Sequence, residues 1–295
     1  MGPSTRRDDH GTLTIAISTL PVPDGLLLAF TFALGCCIGS FLNVVVYRLP
    51  REESIVRPRS RCTSCKRPIA WHDNIPLVSY VALGGACRHC RKHFSVRYPV
   101  IELLTGLAVT TVIYRFGFNA VGWIYAAFLA ALIAASFIDL EFQIIPDEIS
   151  LGGLAVGLAL SLLVPALHGA DSHLAALGRS AIGVLAGGGV LYATGMLGDF
   201  IFRKESMGGG DIKLLAMAGA VLGWQLVMVA FFLAPMLAVI PGLIVLFVKK
   251  SHVIPYGPFL SLALVIAMFA GYDLLRVSGI EESVRLLWEY RPWFR

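Results

Sequence analysis

Two aspartates stand at the ends of long uncharged runs. Asp139 closes "ALIAASFID", and Asp211 follows three glycines in "SMGGGDIKLL". Ionisable groups at membrane depth are costly and usually functional. Two carboxyls brought close share one proton, because both cannot ionise comfortably. The ionised member then takes a proton from water while the protonated member donates to a carbonyl, which is metal-free peptide hydrolysis. From spacing alone the rival reading has equal weight: both are interfacial, one as a helix N-cap. Gly208 and Gly210 lack Cβ atoms, which permits φ > 0 or a close approach of substrate backbone to Asp211. The bland alternative is a linker.

Four of the six cysteines form Cys62-Thr-Ser-Cys65 and Cys87-Arg-His-Cys90. Two CxxC knuckles about twenty residues apart are a zinc-ribbon arrangement. A short polar loop between spans cannot build its own core, and a tetrathiolate zinc supplies folding free energy directly. Disulfides, a redox CxxC pair, or replacement of one thiolate by His72, His89 or His93 remain open. Cys36 and Cys37 lie mid-span and are read as small apolar packing residues.

These groups need elements to position them. The chain has 295 residues, is 57% hydrophobic and 15% charged, and has a mean hydropathy of +0.75. Soluble domains carry more charge. Residues 25–47, 116–138, 149–167, 180–198, 214–248 and 253–272 are uncharged, and 98–114 holds only Glu102. Runs near 20 residues match the hydrocarbon core of a bilayer. The run 214–248 is too long for one span and splits at Gly223–Trp224–Gln225 into a short helix, 211–222, and a full span, 226–248. The expected fold is an all-α polytopic membrane protein with about eight transmembrane helices.

The segment 48–97 holds eleven Lys/Arg against three Asp/Glu. By the positive-inside rule this loop is cytoplasmic and both termini are outside. Its charge reads as a topology signal and a contact for anionic lipid, and nucleic acid is not an expected partner. The expected regions are an extracytoplasmic segment 1–24, the first span 25–47, the basic four-cysteine loop 48–97, a membrane core 98–272 and an interfacial tail 273–295. Residues 1–24 are mixed in charge, contain Pro21 and Pro23, and do not read as a cleavable signal. The glycines of "LAGGGV", 187–189, read as helix-packing residues.

Five blocks together resemble the type IV prepilin peptidases, membrane aspartyl proteases of the GxGD class. They are "GSFLNVVVYRLP", the two knuckles, "DNIPLVSY" with "RYPVIELLTG", "FIDLEFQIIPD", and "GGGDIKLLA", with "IPYGPFL" in support. The resemblance covers about residues 35–260. Thr63 and Lys66 depart from the proline and glycine common in the family around the first knuckle.

The resemblance implies that Asp139 and Asp211 are the catalytic pair, supported by Gly208, Gly210, Lys213 and Asp147. It implies a bacterial inner-membrane enzyme that cuts the leader of prepilins and pseudopilins on the cytoplasmic side, after glycine. It also implies N-methylation of the new terminus from S-adenosylmethionine, while the knuckle spacing points to structural zinc on Cys62, Cys65, Cys87 and Cys90. No glycine-rich dinucleotide fingerprint marks the methyl-donor site, and Glu102 is the candidate, as a carboxylate in an apolar span. The acidic stretch with Asp139, Glu141, Asp147 and Glu148 would attract a basic leader. Competing readings are a peptidase without methyltransferase activity, a proton-coupled transporter, a zinc-ribbon adaptor and a presenilin-like intramembrane protease.

Overall fold

A computed structural model describes residues 24–203, 207–249 and 255–277. Almost all of segment 1–24, Lys204, Lys250 and most of the tail 273–295 lie outside the described residues. The chain divides into two compact units, Met1–Ile138 and Asp139–Arg295. Among the described residues the regular structure is helical, with two isolated β-bridges and no longer strand.

The N-terminal unit holds α1 (Asp24–Arg48), the short α2 (Val78–Ala82), α3 (Arg97–Phe116) and most of α4 (Ala120–Phe142). Helices α1 and α3 pack backbone to backbone. A Cβ at Gly35 would stand 2.8 Å from the Gly106 Cα, and one at Gly39 would stand 2.7 Å from the Glu102 Cα. Gly35 and Gly39 form a GxxxG stripe, which lets membrane helices meet where lipid supplies no hydrophobic drive. That close crossing buries Glu102 to 8% exposure.

The C-terminal unit receives the last turn of α4 and adds α5 (Asp147–Leu163), α6 (His173–Phe202), α7 (Gly209–Leu222), α8 (Trp224–Lys249) and α9 (Gly257–Val277). Beyond Lys213, helix α7 is apolar on every side, and every residue from 214 to 222 is buried. A helix with no polar face belongs in a core. Its neighbours are α5, α6, α8 and α9. Glycines bring α6 onto it: a Cβ at Gly187 would meet the Leu215 carbonyl, and one at Gly188 would stand 3.0 Å from the Ala216 Cβ. Gly189 meets nothing, so the packing reading of the three glycines holds for two.

All eight expected segments are helical, but among the described residues only six helices are long and apolar enough to cross a membrane. The exceptions are α5, with 17 residues, and α7, with 14. At 1.5 Å per residue they reach about 26 and 21 Å, short of a hydrocarbon core of about 30 Å. The expected break falls where the glycine allows it: α7 ends at Leu222, Gly223 follows with φ 80, and α8 starts at Trp224.

The C-terminal end of α7 is held by polar groups. The Ala220 carbonyl accepts the Ser180 hydroxyl at 2.8 Å and lies 3.1 Å from both Ser161 Oγ and His168 Nε2. A helix's last carbonyls lack intrahelical donors, and here α5, α6 and the intervening turn supply them. This fixes α7, and so Asp211 at its other end, against α5 and α6.

Candidate functional site

Asp139 sits in the last full turn of α4 and is 7% exposed. Its carbonyl accepts the Gln143 N–H at 2.9 Å, and Gln143 adopts φ 57, which ends the helix there. Asp211 lies in the first turn of α7, with its N–H donating to the Gly208 carbonyl at 3.1 Å. The two carboxyls come from different helices and are 72 residues apart in sequence, yet lie within electrostatic range of each other. Tyr256 is in range of Asp211 as well.

A residue without an assigned role in the sequence reading completes the cluster. The Gly257 N–H donates to Asp139 Oδ2 at 2.9 Å. Gly257 is the first residue of α9, so Asp139 faces the positive end of a helix dipole. "IPYGPFL" carried the signal, a glycine followed by Pro258 at a helix start, but the partner is 118 residues away.

The glycines before Asp211 do not act through left-handed backbone. Gly208 has φ −69 and Gly210 lies within α7. What they supply is space: a Cβ at Gly208 would stand 3.1 Å from Asp211 Oδ2, and one at Gly210 would stand 3.0 Å from the Ile145 Cβ. Gly209 meets nothing within 4 Å. Lys213 Nζ pairs with Asp147 Oδ1 at 2.6 Å, joining α7 to the start of α5. One carboxylate of the acidic stretch is therefore already partnered.

The four cysteines converge in the N-terminal unit. Their sulfurs all lie within 4.8 Å of one another, and none is in a disulfide. Cys62 and Cys90 are 3.8 Å apart, and Cys65 and Cys87 are 4.0 Å apart. A tetrahedral zinc with Zn–S bonds of about 2.3 Å sets its sulfurs about 3.8 Å from each other. The Cys87 sulfur accepts the Cys90 and His89 N–H groups, the backbone contacts that a ligating thiolate needs. The group therefore fits a metal of this kind.

The two knuckles are copies of each other. Cys62 N–H donates to the Arg67 carbonyl and Lys66 N–H to the Cys62 carbonyl; Cys87 N–H and Lys92, Arg91 N–H and Cys87 repeat the pattern. Lys66 and Arg91 both have φ near +58. This explains the departure noted at Lys66, a left-handed position that glycine usually takes. The repeat is visible in "CTSCKRPI" and "CRHCRKHF".

Glu102 and Asp73 anchor the rest of the loop. Glu102 Oε2 accepts the Leu77 N–H at 2.8 Å. Arg88 grips Asp73 through Nε at 2.8 Å and Nη2 at 2.5 Å, which holds the Asp73 carboxyl below its usual range.

The molecule is thus a multi-pass helical membrane protein with a four-thiolate cluster in one unit and an aspartate pair in the other. Residues 33–116 match the bacterial peptidase A24 N-terminal domain, and residues 126–243 match the type IV leader peptidase family. The prepilin leader peptidase/N-methyltransferase of Myxococcus xanthus (strain DK1622) is 40% identical over 235 residues, 78% of this chain and 66% of that protein. Proteins of the same name from Aeromonas hydrophila and Pseudomonas aeruginosa are each 35% identical. Those alignments cover 85% and 83% of this chain, and 93% and 91% of the relatives. No solved structure matches. The chain belongs to the type IV leader peptidase family.

Proposed function

We propose that the protein removes the leader peptide of prepilins and pseudopilins at the cytoplasmic face of the bacterial inner membrane and then methylates the new N-terminus. The observation that carries the peptidase reading is the pair Asp139 and Asp211, set from α4 and α7 beside the start of α9. One proton shared by the pair lets one carboxyl accept a proton from water while the other donates to the scissile carbonyl. Gly257 holds Asp139 in place through its N–H, and Gly208 leaves room for the Asp211 carboxylate. Lys213 with Asp147 ties the two helices that flank the site, and this half-exposed pair contributes roughly 0–1 kcal/mol.

Zinc on Cys62, Cys65, Cys87 and Cys90 is structural in this reading. All four ligands are cysteines, which leaves no open position for a reacting water. Elemental analysis of the purified protein is expected to give about one zinc per chain, and Cys62→Ser to bring it near zero. Protease then nicks the segment 48–97 readily. Full zinc content in the serine variant refutes the ligand set.

S-adenosylmethionine is the methyl donor in this reading, and Glu102 is the candidate residue for that activity. The methyltransferase reading is supported by the names of the relatives and by the match of 33–116 to the bacterial N-terminal domain. The deciding experiment combines full-length enzyme, a synthetic prepilin and S-adenosylmethionine, with mass spectrometry of the product. The expected product lacks its leader and carries one added methyl group at the new N-terminus. An intact prepilin refutes the peptidase, and a cleaved but unmethylated product refutes the transferase.

A further inference from the structure

Three of the sequence blocks have no part in the aspartate pair or the thiolate cluster. "GSFLNVVVYRLP", "DNIPLVSY" and "RYPVIELLTG" converge in the N-terminal unit on one cavity of about 190 Å³. Asn43 and Arg48 line it from α1, Tyr80 from α2, and Tyr98 and Glu102 from α3.

Asn43 is 2% exposed. Its amide NH2 donates to the Tyr98 carbonyl at 3.1 Å and the Gly39 carbonyl at 3.3 Å, which fixes the orientation of the group. Asn43 Oδ1 has no donor. A buried acceptor with no partner is uncommon and calls for an explanation.

Arg48 is 7% exposed and donates to the Ser54 and Pro58 carbonyls. Among the described residues it has no carboxylate partner. A buried guanidinium without a counter-charge is poised for an anion.

The wall is strained beside Glu102. Leu77 has φ 59 and ψ −50, and the Val78 N–H closes on the Pro76 carbonyl at 2.6 Å. This is a γ-turn of the rare, strained kind, held by the Leu77 N–H on the Glu102 carboxylate. Strain of this sort gathers at ligand clamps.

We propose that this cavity binds the methyl donor, S-adenosylmethionine, with Asn43 Oδ1 and the Glu102 carboxylate as acceptors and Arg48 as the partner of its carboxylate. The inference rests on the methyltransferase reading. The donor's ammonium and ribose hydroxyls need acceptors, its carboxylate needs a cation, and its sulfonium and adenine need aromatic faces. The cavity offers these through Asn43 and Glu102, through Arg48, and through Tyr80 and Tyr98.

The test uses detergent-solubilised full-length protein. Tritiated S-adenosylmethionine is cross-linked by ultraviolet light and the labelled peptides are mapped, with S-adenosylhomocysteine as the competitor. Label is expected within 39–50, 73–80 or 97–106, and competed label confined to other segments overturns the assignment. Calorimetry then compares Asn43→Leu and Glu102→Gln, with zinc content as the check on the loop's fold. Each is expected to weaken donor affinity by about tenfold or more, the loss of one hydrogen bond to a charged group. Unchanged affinity in both overturns the proposal. An enzyme that methylates prepilin but labels elsewhere refutes only this cavity, whereas one that neither binds donor nor methylates refutes the underlying reading.

Discussion

Asp139→Asn and Asp211→Asn each reduce prepilin cleavage by about a thousandfold or more, the range expected when a general acid or base is lost. An amide keeps the size of the side chain and cannot relay the proton the pair shares. Fold is retained for separate reasons at the two positions. At Asp211, asparagine has about the helix propensity of aspartate and gives up only a dipole interaction of about 1 kcal/mol or less. At Asp139, the amide oxygen still accepts the Gly257 N–H. If both residues were interfacial caps, either variant would cleave within a few-fold of wild type, and such a result refutes the pair. Asp147→Asn is the contrast. It removes only the half-exposed contact to Lys213, so turnover stays within about tenfold. Initial rates on one synthetic prepilin, with thermal midpoints measured alongside, separate these outcomes.

The sequence carried the helices well and their ends poorly, for a definite reason. Long uncharged runs locate spans because the bilayer penalises charge, yet a helix does not stop at its first charge. Helix α6 starts at His173, seven residues before the uncharged run. Arg179 lies inside it and turns back to the His168 and Gly169 carbonyls at 2.8 and 2.9 Å. Helix α4 continues past Asp139 to Phe142, so that carboxylate sits within a helix. Helix α5 ends at Leu163, before Pro165, although the uncharged run reaches 167. The expected count of about eight includes α5 and the short α7, which form as helices but stop short of a full span.

The site was legible in parts. Each CxxC knuckle is local, so the thiolate cluster follows from spacing. The aspartates stood out because carboxylates are rare beside apolar runs. The contact between Gly257 and Asp139 was hidden, because it depends on how α9 packs, and no local pattern reports that. Glu102 was visible as a lone carboxylate, but its hold on Leu77 depends on a turn 25 residues earlier in the chain.

That hidden contact gives the second large effect. Gly257→Ala is expected to lower cleavage by about a hundredfold, the cost of displacing a catalytic group by a fraction of an ångström to an ångström. A Cβ at Gly257 would stand 2.8 Å from Asp139 Oδ2 and 3.2 Å from both its Cβ and Cγ. Rotation of the carboxylate relieves only the first of these, so the whole side chain must move. The N–H bond to Oδ2 moves with it. The backbone of Gly257 is helical, so alanine brings no strain of its own, and helix content and thermal midpoint should stay close to wild type. The glycines before Asp211 grade the effect. Gly208→Ala crowds only the Asp211 Oδ2 end at 3.1 Å and should cost less than Gly257→Ala, while Gly209→Ala meets nothing and should leave turnover unchanged. Near-wild-type turnover in Gly257→Ala would show that Asp139 does not need its α9 partner. Equal losses at Gly257 and Gly209 would mean that general loosening of the helix ends, not the placement of a carboxylate, limits the reaction.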